Sequence, residues 1–410
     1  MKKKLLVTFA LVYLLIVNVK AQYAWSKDTA FLGAPRAYDV GFSIGHYLYV
    51  GCGAGTSTYY NDFWRWNQDS NTWTAVASYP GLGYRICPTA FSIEGKGYVG
   101  LGQGASGMTN DLWSYDTSKN KWTQMATFPG TPRYAQSVFV VGHKAFIIGG
   151  SIGGPPYLDD VWMYDAHANS WTQMNNSPSG KMETQVTFTI GNHGYLGGGF
   201  NSSTDVSTFW EYDTTTDTWA TIANIPIVNG IGGCPSAFVL GSKAYVCLGG
   251  VGTNSKYTTY GYRYDTITKA WSVFTNMEKI GISGGYGVGF SIGNIGYIAT
   301  GRDSLGNPRN ILWQYSDTST TGISSNGDKI ISLFLYPNPS LGVLHIKCNV
   351  LIDKQLEFRV TDVFGRIINT SRIDKQNLTL DEAKLGNGIY FYQVLDSDKL
   401  ISSGKFIIQK

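Results

Sequence analysis

Short apolar runs alternate with polar turns along residues 22–316, and this pattern predicts β-strands. Each repeat holds four runs rich in Val, Ile, Phe, Tyr and Trp, a length and composition typical of strands. The first run of each repeat is centred on a phenylalanine: Phe42, Phe91, Phe139, Phe188, Phe238 and Phe290. Four short strands in each of six repeats predict the blades of a β-propeller.

Tryptophan spacing gives the period of the repeat. Eleven of the twelve tryptophans fall in two columns spaced by about 49 residues. One column is Trp25, Trp73, Trp122, Trp171, Trp219 and Trp271, and the other is Trp64, Trp113, Trp162, Trp210 and Trp313, with Tyr262 in the vacant place. A period near 50 indicates one supersecondary unit stacked several times.

Two polar or small positions recur with the aromatic ones. Glycine closes the second run of every repeat, which predicts a positive φ or a neighbouring backbone too close for a Cβ. These glycines are Gly53, Gly102, Gly150, Gly199, Gly249 and Gly301. An Asn or Asp precedes the fourth-strand tryptophan by six residues, where we expect it to cap a tight turn through its side chain. These residues are Asn67, Asp116, Asp165, Asp213 and Asp265.

The paired glycines Gly149–Gly150 and Gly249–Gly250, the Trp-x-Tyr-Asp step and the later tryptophan resemble the kelch repeat. The resemblance covers about residues 22–316 and implies an all-β, six-bladed kelch β-propeller. Repeat 1 departs from the pattern, with Cys52 between its closing glycines and Trp66 in place of tyrosine. Repeat 5 has Tyr262 in place of tryptophan, and the swaps at Trp66 and Tyr262 keep large aromatic side chains, so the expected fold is unchanged.

The sixth repeat lacks its fourth strand. Trp25 lies 17 residues before Phe42, the interval that also separates Trp122 from Phe139. We therefore expect Gln22–Ser26 to pair as the outer strand of blade 6, which would remove an exposed sheet edge. The alternative is an unclosed sixth blade.

Residues 1–21 have the pattern of a secretory signal peptide. Three lysines precede the apolar stretch Leu5–Val17, and Val19-Lys20-Ala21 places small side chains before the expected cleavage point. Cleavage there removes four of the 32 basic residues, which leaves 28 basic against 28 acidic residues. The neutral mature chain gives no electrostatic support for nucleic-acid binding, and no membrane span is expected after the signal is removed.

Residues 317–330 have linker composition, and residues 331–410 change in character. Short alternating runs split by turns predict a small Ig-like β-sandwich. Its marker residues are Tyr336, Pro337, Asn338, Pro339, Gly342, Gly365, Gly388, Tyr390, Gly404 and Lys405.

These markers, in this order, resemble the type A sorting domain of the type IX secretion system. The resemblance implies a bacterium of the Bacteroidota kind and export through the periplasm and the outer membrane. It also implies recognition by the type IX machinery and removal of the tail, leaving a secreted or surface protein. The alternative is an ordinary Ig-like module that is retained.

The cysteines and histidines indicate neither a disulfide framework nor a metal site. Cys87 and Cys234 share one register on blades 2 and 5, which lie opposite in a six-bladed ring, and a disulfide needs Cα atoms within about 7 Å. We therefore expect free thiols. The five histidines are scattered, and the sequence lacks the common nucleophile, zinc and phosphate-loop motifs. No cofactor or metal is expected.

Three arginines are the first candidate ligand-binding residues. Arg36, Arg85 and Arg133 each lie six residues before the repeat's phenylalanine, on adjacent blades. If they reach the channel mouth, they could hold a carboxylate or an acidic sugar through bidentate contacts. The alternative is that they bind neighbouring carbonyls or loop acids. The equivalent positions in blades 4 to 6 are Met182, Gly232 and Gly284.

Aromatic residues on the same loop face are the second set of candidates, because flat amphipathic rings suit both sugars and protein partners. They are Tyr59, Tyr60, Tyr84, Tyr134, Tyr157, Phe200, Tyr257, Tyr260 and Tyr286. Tyr84, Tyr134 and Tyr286 are the candidates nearest the arginines or the expected channel. Glu183 is a weak candidate for acid–base catalysis.

Three functions fit these observations. The leading hypothesis is an exported, non-catalytic binding or adhesion platform for a glycan or a protein, because no catalytic constellation is found. The second is a carbohydrate-active enzyme, since kelch propellers include a sialic-acid mutarotase. The third is a protein–protein scaffold in a surface complex. The fold alone does not choose between them.

Overall fold

The computed structural model describes residues 24–81, 83–227, 230–251, 256–258, 260–277, 284–316, 333–336, 340, 342–348, 356–373, 377–381, 384–396 and 399–410. The chain divides into two compact units, one within residues 23–317 and one within residues 318–410. The signal-peptide prediction and the marker residues Pro337, Asn338 and Pro339 lie outside the described residues.

The first unit contains six four-stranded antiparallel sheets, and five of them are ordered along the chain from the first strand to the fourth. The strands of blades 1 to 3 are Val40–Ile44, Tyr47–Gly51, Phe63–Asn67 and Thr72–Val76; Thr89–Ile93, Lys96–Gly100, Leu112–Asp116 and Lys121–Gln124; Ser137–Val141, Lys144–Gly150, Leu158–Asp165 and Ser170–Met174. Those of blades 4 and 5 are Val186–Ile190, His193–Gly197, Phe209–Asp213 and Thr218–Ile222; Ser236–Leu240, Lys243–Cys247, Tyr260–Asp265 and Ala270–Asn276. Two short hairpins join Gln103–Gly104 to Gly107–Met108 and Gly250–Val251 to Lys256–Tyr257.

Blade 6 closes the ring with a strand from the other end of the unit. Its strands along the chain are Val288–Ile292, Ile295–Ala299 and Leu312–Ser316, and Ala24–Lys27 pairs antiparallel with the last of these. Trp25 lies opposite Tyr315 and packs on Phe238 of blade 5. First strands of neighbouring blades contact one another around the whole ring, including blade 6 against blade 1.

The closing glycines have both features expected from the sequence, a positive φ and a neighbouring backbone too close for a Cβ. Their φ angles range from +86° at Gly53 to +106° at Gly249, a region that other residues rarely adopt. A Cβ on Gly150 would also lie 2.9 Å from the carbonyl oxygen of Tyr134, and equivalent carbonyls crowd the other five. The glycine N–H donates across to the next blade, as from Gly53 to the carbonyl of Arg85.

Side-chain hydrogen bonds fix the outer edge of each blade. The predicted turn caps are confirmed at all five positions, as where the Asp116 carboxylate accepts from the N–H of Ser118. Fourth-strand tryptophans tie their blade to the preceding loop, since Trp122 donates from its indole to the carbonyl of Ala77. Trp73, Trp171 and Trp271 make the equivalent bond.

The second unit contains two antiparallel sheets. One holds Leu333–Tyr336, Val343–Cys348 and Asn377–Asp381, and the other holds Ile367–Ile373, Leu356–Thr361, Gly388–Asp396 and Lys399–Ile408. Its core is apolar and includes Leu344, Ile346, Phe358, Val394 and Phe406.

The described marker residues of this unit occupy turns and close contacts. Gly342 and Gly365 have φ angles of +120° and +78°, and Gly365 lies in a turn where the Asp362 carboxylate accepts from the backbone of Phe364. A Cβ on Gly404 would lie 2.7 Å from the ring of Tyr392. Gly388, Tyr390 and Lys405 lie in the paired final strands, and the Tyr390 hydroxyl donates to the carbonyl of Gly386.

Candidate binding site in the propeller channel

Six residues at one register, one from each blade, surround the axis of the propeller. Each lies two positions before the start of a first strand. Each also has a left-handed backbone, with φ between 44° and 61°. They are Tyr38, Cys87, Ala135, Thr184, Cys234 and Tyr286, and we call them the channel ring. Side chains rarely adopt this conformation, so its use in all six blades needs a compensating interaction.

Backbone hydrogen bonds between blades supply that interaction. The N–H of Cys87 donates to the carbonyl of Tyr38, and the N–H of Ala135 donates to the carbonyl of Cys87. Equivalent bonds link Thr184 to Ala135, Tyr286 to Cys234 and Tyr38 to Tyr286. The left-handed backbone thus links the entry segments of neighbouring blades into a belt at five of the six junctions around the ring.

The ring and the three residues that follow it in each blade line a cavity of ≈ 260 Å³. Several of these residues are polar and nine-tenths or more buried, including Asp39, Thr89, Gln136 and Gln185. One or more buried side-chain atoms of each have no hydrogen-bond partner within the described residues: Asp39 Oδ1, Thr89 Oγ1, both amide atoms of Gln136, and Gln185 Nε2. Unsatisfied buried polar groups are costly, so their convergence indicates water or a ligand in the channel.

Asp39 is the ionisable member of this lining. Burial raises its pKa to about 7, and the hydrogen bond from Thr300 and the charge of Arg36 oppose that rise only in part. The Thr300 hydroxyl lies 2.7 Å from Asp39 Oδ2. A carboxyl that protonates near neutrality can donate or accept a hydrogen bond within the channel.

Two tyrosines of the ring form an aromatic contact on one side of the channel. Tyr38 and Tyr286 lie with ring centroids 4.6 Å apart, and the Arg302 guanidinium lies 4.6 Å from the Tyr38 ring. Burial raises the pKa of both phenols, so both keep their protons at neutral pH. Of the predicted aromatic candidates, Tyr286 is the one the structure places in the channel lining.

Glu183 lies next to the channel ring, one residue before Thr184. Its carboxylate accepts hydrogen bonds from Ser151 and Tyr157, while burial raises its pKa above the ordinary value. Its charge also acts on Cys87. The side chain is half-buried and its backbone pairs with Phe200.

The three arginines are not free for a ligand. Arg36, Arg85 and Arg133 are at most 1% exposed. They pair with Asp62, Asp111 and Asp160 respectively. Asp62 and Asp111 directly precede the third strand of their blade, and Asp160 lies within it. The expectation of a cationic channel mouth is therefore corrected, because each guanidinium is neutralised inside its own blade.

Aromatic and backbone groups complete each of these pairs, which we call the arginine latches. The Arg133 guanidinium lies 5.0 Å from the ring of Phe128, donates to the carbonyl of Gly149 and pairs with Asp160 through both Nη atoms. Trp162 donates its indole N–H to the same carboxylate. Burial works to raise the pKa of Asp160, but the hydrogen bonds and charge of Arg133 outweigh it and hold that pKa below its usual range.

The other aromatic candidates lie outside the channel lining, on loops or, for Tyr257 and Tyr260, at the ends of strands. Tyr59 and Tyr84 stack with centroids 4.4 Å apart, and Tyr59 is half exposed. Tyr60 covers the Arg36 guanidinium, and Tyr134 is half-buried with its backbone paired to Ser151. Tyr157 is buried, Tyr257 is half-buried and Tyr260 is exposed.

The sequence analysis did not single out Tyr38, Asp39, Gln136 or Gln185. A signal was present, because these residues lie two and three positions beyond the arginine register in each repeat. The cysteines were recognised as equivalent, but the structure adds that their thiols interact across the channel. That interaction with Cys234, ahead of burial, raises the pKa of Cys87 well above its ordinary value.

Among the described residues, no group of three or more His, Cys, Asp or Glu side chains is arranged to hold a metal ion. The histidines make local contacts instead. His143 and His167 stack with centroids 4.2 Å apart, and His167 lies 2.9 Å from the Glu94 carboxylate.

A closed ring of six four-stranded antiparallel sheets around an axial channel defines a six-bladed β-propeller. The chain belongs to the kelch-repeat family, because the family described as the KLHDC2/KLHL20/DRC7 Kelch-repeats domain matches residues 14–185 and 131–301. Residues 334–409 match the secretion system C-terminal sorting domain. The chain is therefore a secreted or surface kelch protein that carries a type IX sorting tail.

A solved structure titled "Structure of YjhT" matches with a TM-score of 0.60 and 18% sequence identity, over 70% of this chain and 96% of that one. At this identity the likeness extends to the fold alone. A search of curated protein sequences finds no significant match. None of the described residues forms an apolar helix long enough to cross a membrane.

Proposed function

We propose that this exported kelch propeller is a non-catalytic binding module that takes a polar part of a glycan or protein ligand into its channel. The observation that carries the proposal is the group of buried polar atoms without partners around the ≈ 260 Å³ cavity. Ligand sites combine an enclosing wall with a few convergent polar groups, and this lining has both. A secreted or surface location would bring the channel into contact with extracellular ligands.

Binding would depend most on the side-chain amides of Gln136 and Gln185. An amide presents both a donor and an acceptor, which suits the paired donor and acceptor of a sugar hydroxyl. The two side chains lie on neighbouring blades 3 and 4. Because Arg36, Arg85 and Arg133 are neutralised internally, the proposed ligand is held by neutral hydrogen bonds rather than by bidentate charge pairing.

Thermal unfolding of mature residues 22–410 against a panel of sugars, including sialic and uronic acids, tests the proposal. A ligand at 100 times its dissociation constant stabilises the folded state by about 2.7 kcal/mol, a measurable melting shift. Gln136→Leu and Gln185→Leu should weaken binding roughly tenfold each by removing a buried hydrogen bond. Gln173→Leu, on the exposed outer strand of blade 3, is the matched control.

If no sugar shifts the melting temperature, the ligand is a protein, and affinity capture from extracellular material should retain a partner on the wild type but not on Gln136→Leu. Failure of both arms would remove the channel from consideration as a binding site.

A carbohydrate-active enzyme is the second candidate, and Glu183 is the observation that favours it. A half-buried carboxyl with a raised pKa, held by Ser151 and Tyr157 beside the channel ring, has the environment of a general acid or base. In this case Glu183→Gln should abolish turnover of an acidic sugar, such as interconversion of sialic-acid anomers, while leaving binding within about threefold. Binding without turnover by the wild type would reject the enzyme.

A further inference from the structure

Two thiols face each other across the channel. Cys87 and Cys234 occupy the same register of the channel ring on blades 2 and 5, which are three blades apart in a ring of six. Both are free, both line the cavity and both are half-buried, whereas Cys52 and Cys247 are fully buried in blade cores. Their side chains interact directly with each other.

Neither thiol is in a disulfide, although their side chains are in hydrogen-bonding contact. Hydrogen-bonded neighbouring backbones lie about 4.8 Å apart, so opposite members of a ring of six such neighbours would lie roughly 10 Å apart. A disulfide needs Cα atoms within about 7 Å. Closing it would require the belt to contract and its interblade bonds to break.

Two thiols that contact each other without being bonded present two sulfur donors to one ion. We propose that Cys87 and Cys234 form a two-coordinate site for a soft monovalent cation, with Cu(I) as the ion whose ligand preference fits best. Thiolates select soft ions, and two opposed donors suit an ion that accepts linear coordination. Zinc and iron need further ligands, and the described residues offer no group of three or more donors.

The surroundings of the thiol pair favour a cation. The carboxylates of Asp39 and Glu183 both act electrostatically on Cys87. Tyr38 and Tyr286 lie near both thiols and interact with them electrostatically. The Arg302 guanidinium lies over the Tyr38 ring, 4.6 Å from its centroid.

Binding would proceed without electron transfer. Two S–H bonds break and two copper–sulfur bonds form, and both protons pass to solvent. Copper stays Cu(I), and the complex carries one negative charge. Affinity should therefore rise with pH, because each bound ion displaces two protons.

The test titrates reduced, mature protein with Cu(I) in competition with a chromophoric Cu(I) chelator under anaerobic conditions. We expect one equivalent to bind, with thiolate-to-copper absorption in the near ultraviolet and two sulfur neighbours in copper X-ray absorption. Cys87→Ser and Cys234→Ser should each lower affinity by about a hundredfold or more. Thr184→Ala, which changes the same ring but keeps both thiols, should bind as the wild type does.

The proposal is overturned if no tight equivalent binds or if both serine variants keep wild-type affinity. It is also overturned if mass spectrometry of the non-reduced protein finds a Cys87–Cys234 disulfide. The X-ray absorption measurement needs only the wild type, so it decides the ligand set even if a serine variant folds poorly. The titration is done without a sugar or protein ligand, so its outcome does not decide the proposed ligand binding.

Discussion

Blades 1 to 3 and blades 4 to 6 differ in the side chains that join the segment before the first strand to the start of the third strand. In blades 1 to 3 these side chains form an arginine latch, with a buried arginine, an aspartate and a tryptophan indole N–H. The corresponding pairs in the other half are Met182 and Thr208, Gly232 and Tyr260, and Gly284 and Ile311. Both halves form the same four-stranded sheets, so the latch is one of two solutions rather than a requirement of the fold.

The difference follows from the energetics of buried charge. Two buried ions cost several kcal/mol each in desolvation, and their attraction repays that cost only when all groups are satisfied. Arg133 meets this condition through Asp160, two backbone carbonyls and the Phe128 ring. Met182 fills the same register in blade 4 as a buried apolar side chain, at 6% exposure.

The largest expected effect comes from breaking one latch on one side. Arg133→Met leaves the Asp160 carboxylate partly buried without its cation, so it should reduce the free energy of unfolding by about 3–5 kcal/mol. Urea unfolding monitored by tryptophan fluorescence measures the loss. The double variant Arg133→Met/Asp160→Thr copies blade 4 and should recover to within about 1 kcal/mol of the wild type. If the double variant is as unstable as the single one, packing rather than ion pairing gives the latch its value.

Asp39 tests whether the halves also differ in the channel lining. Its equivalents in the other blades are Pro88, Gln136, Gln185, Pro235 and Gly287, none of which ionises. With a folded pKa of about 7, above the unfolded value, Asp39 favours folding at low pH and loses that contribution as pH rises through 7. Asp39→Asn should therefore be more stable than the wild type at pH 8, by about 2 kcal/mol, with the gain vanishing by pH 4. A gain that does not depend on pH would assign the effect to something other than titration.

The closing glycines should not distinguish the halves. Gly150→Ala in blade 3 and Gly199→Ala in blade 4 should each cost about 1–3 kcal/mol, because both have a positive φ and a carbonyl 2.9 Å from the added Cβ. Gly191→Ala, with a φ of +61° and open space around it, measures the dihedral cost alone. A large difference between Gly150→Ala and Gly199→Ala in denaturant midpoint would show that the latch stiffens its blade.

The smallest effect is the response of the latches to acid. Burial acts to raise the pKa values of Asp62, Asp111 and Asp160, but the paired arginines hold them below the ordinary range. Their stabilisation is present above the unfolded pKa and is lost as pH falls through the folded values. Between pH 5 and 2.5 the wild type should lose roughly 1 kcal/mol more than Arg133→Met/Asp160→Thr. Equal slopes in the two proteins would contradict this assignment.

The repetitive part of the molecule could be predicted from sequence because its rules are local. Turn caps such as Asp116 and closing glycines such as Gly150 depend on backbone geometry within a few residues, and they recur at a fixed period. The register of the arginines was readable in the same way. The role of the arginines was not predicted. Asp62, Asp111 and Asp160 recur with the same period, however, and could have been matched to the arginines as partners.

The channel could not be predicted to the same depth. Which way a side chain points from a left-handed residue such as Cys87 depends on its hydrogen bonds to the neighbouring blades, here to Tyr38 and Ala135. The sequence placed Cys87 and Cys234 on opposite blades correctly, but it did not show that their side chains bridge the axis. Likewise, Gln136 and Gln185 reveal themselves as unpartnered only when all neighbouring groups are in place.

The strand Ala24–Lys27 also has a consequence for the order of events during export. It lies at the beginning of the propeller sequence, yet its partner Leu312–Ser316 is the last strand of the propeller to emerge. Until residue 316 has emerged, the strand Ala24–Lys27 presents an unpaired edge, and edges of this kind promote association with other chains. Closing a ring from contacts nearly 300 residues apart is slow, because the loop entropy is lost before the pairing is gained. The other five blades pair strands that are close in sequence, so they can form first. Blade 6 is completed only when the last propeller strand emerges.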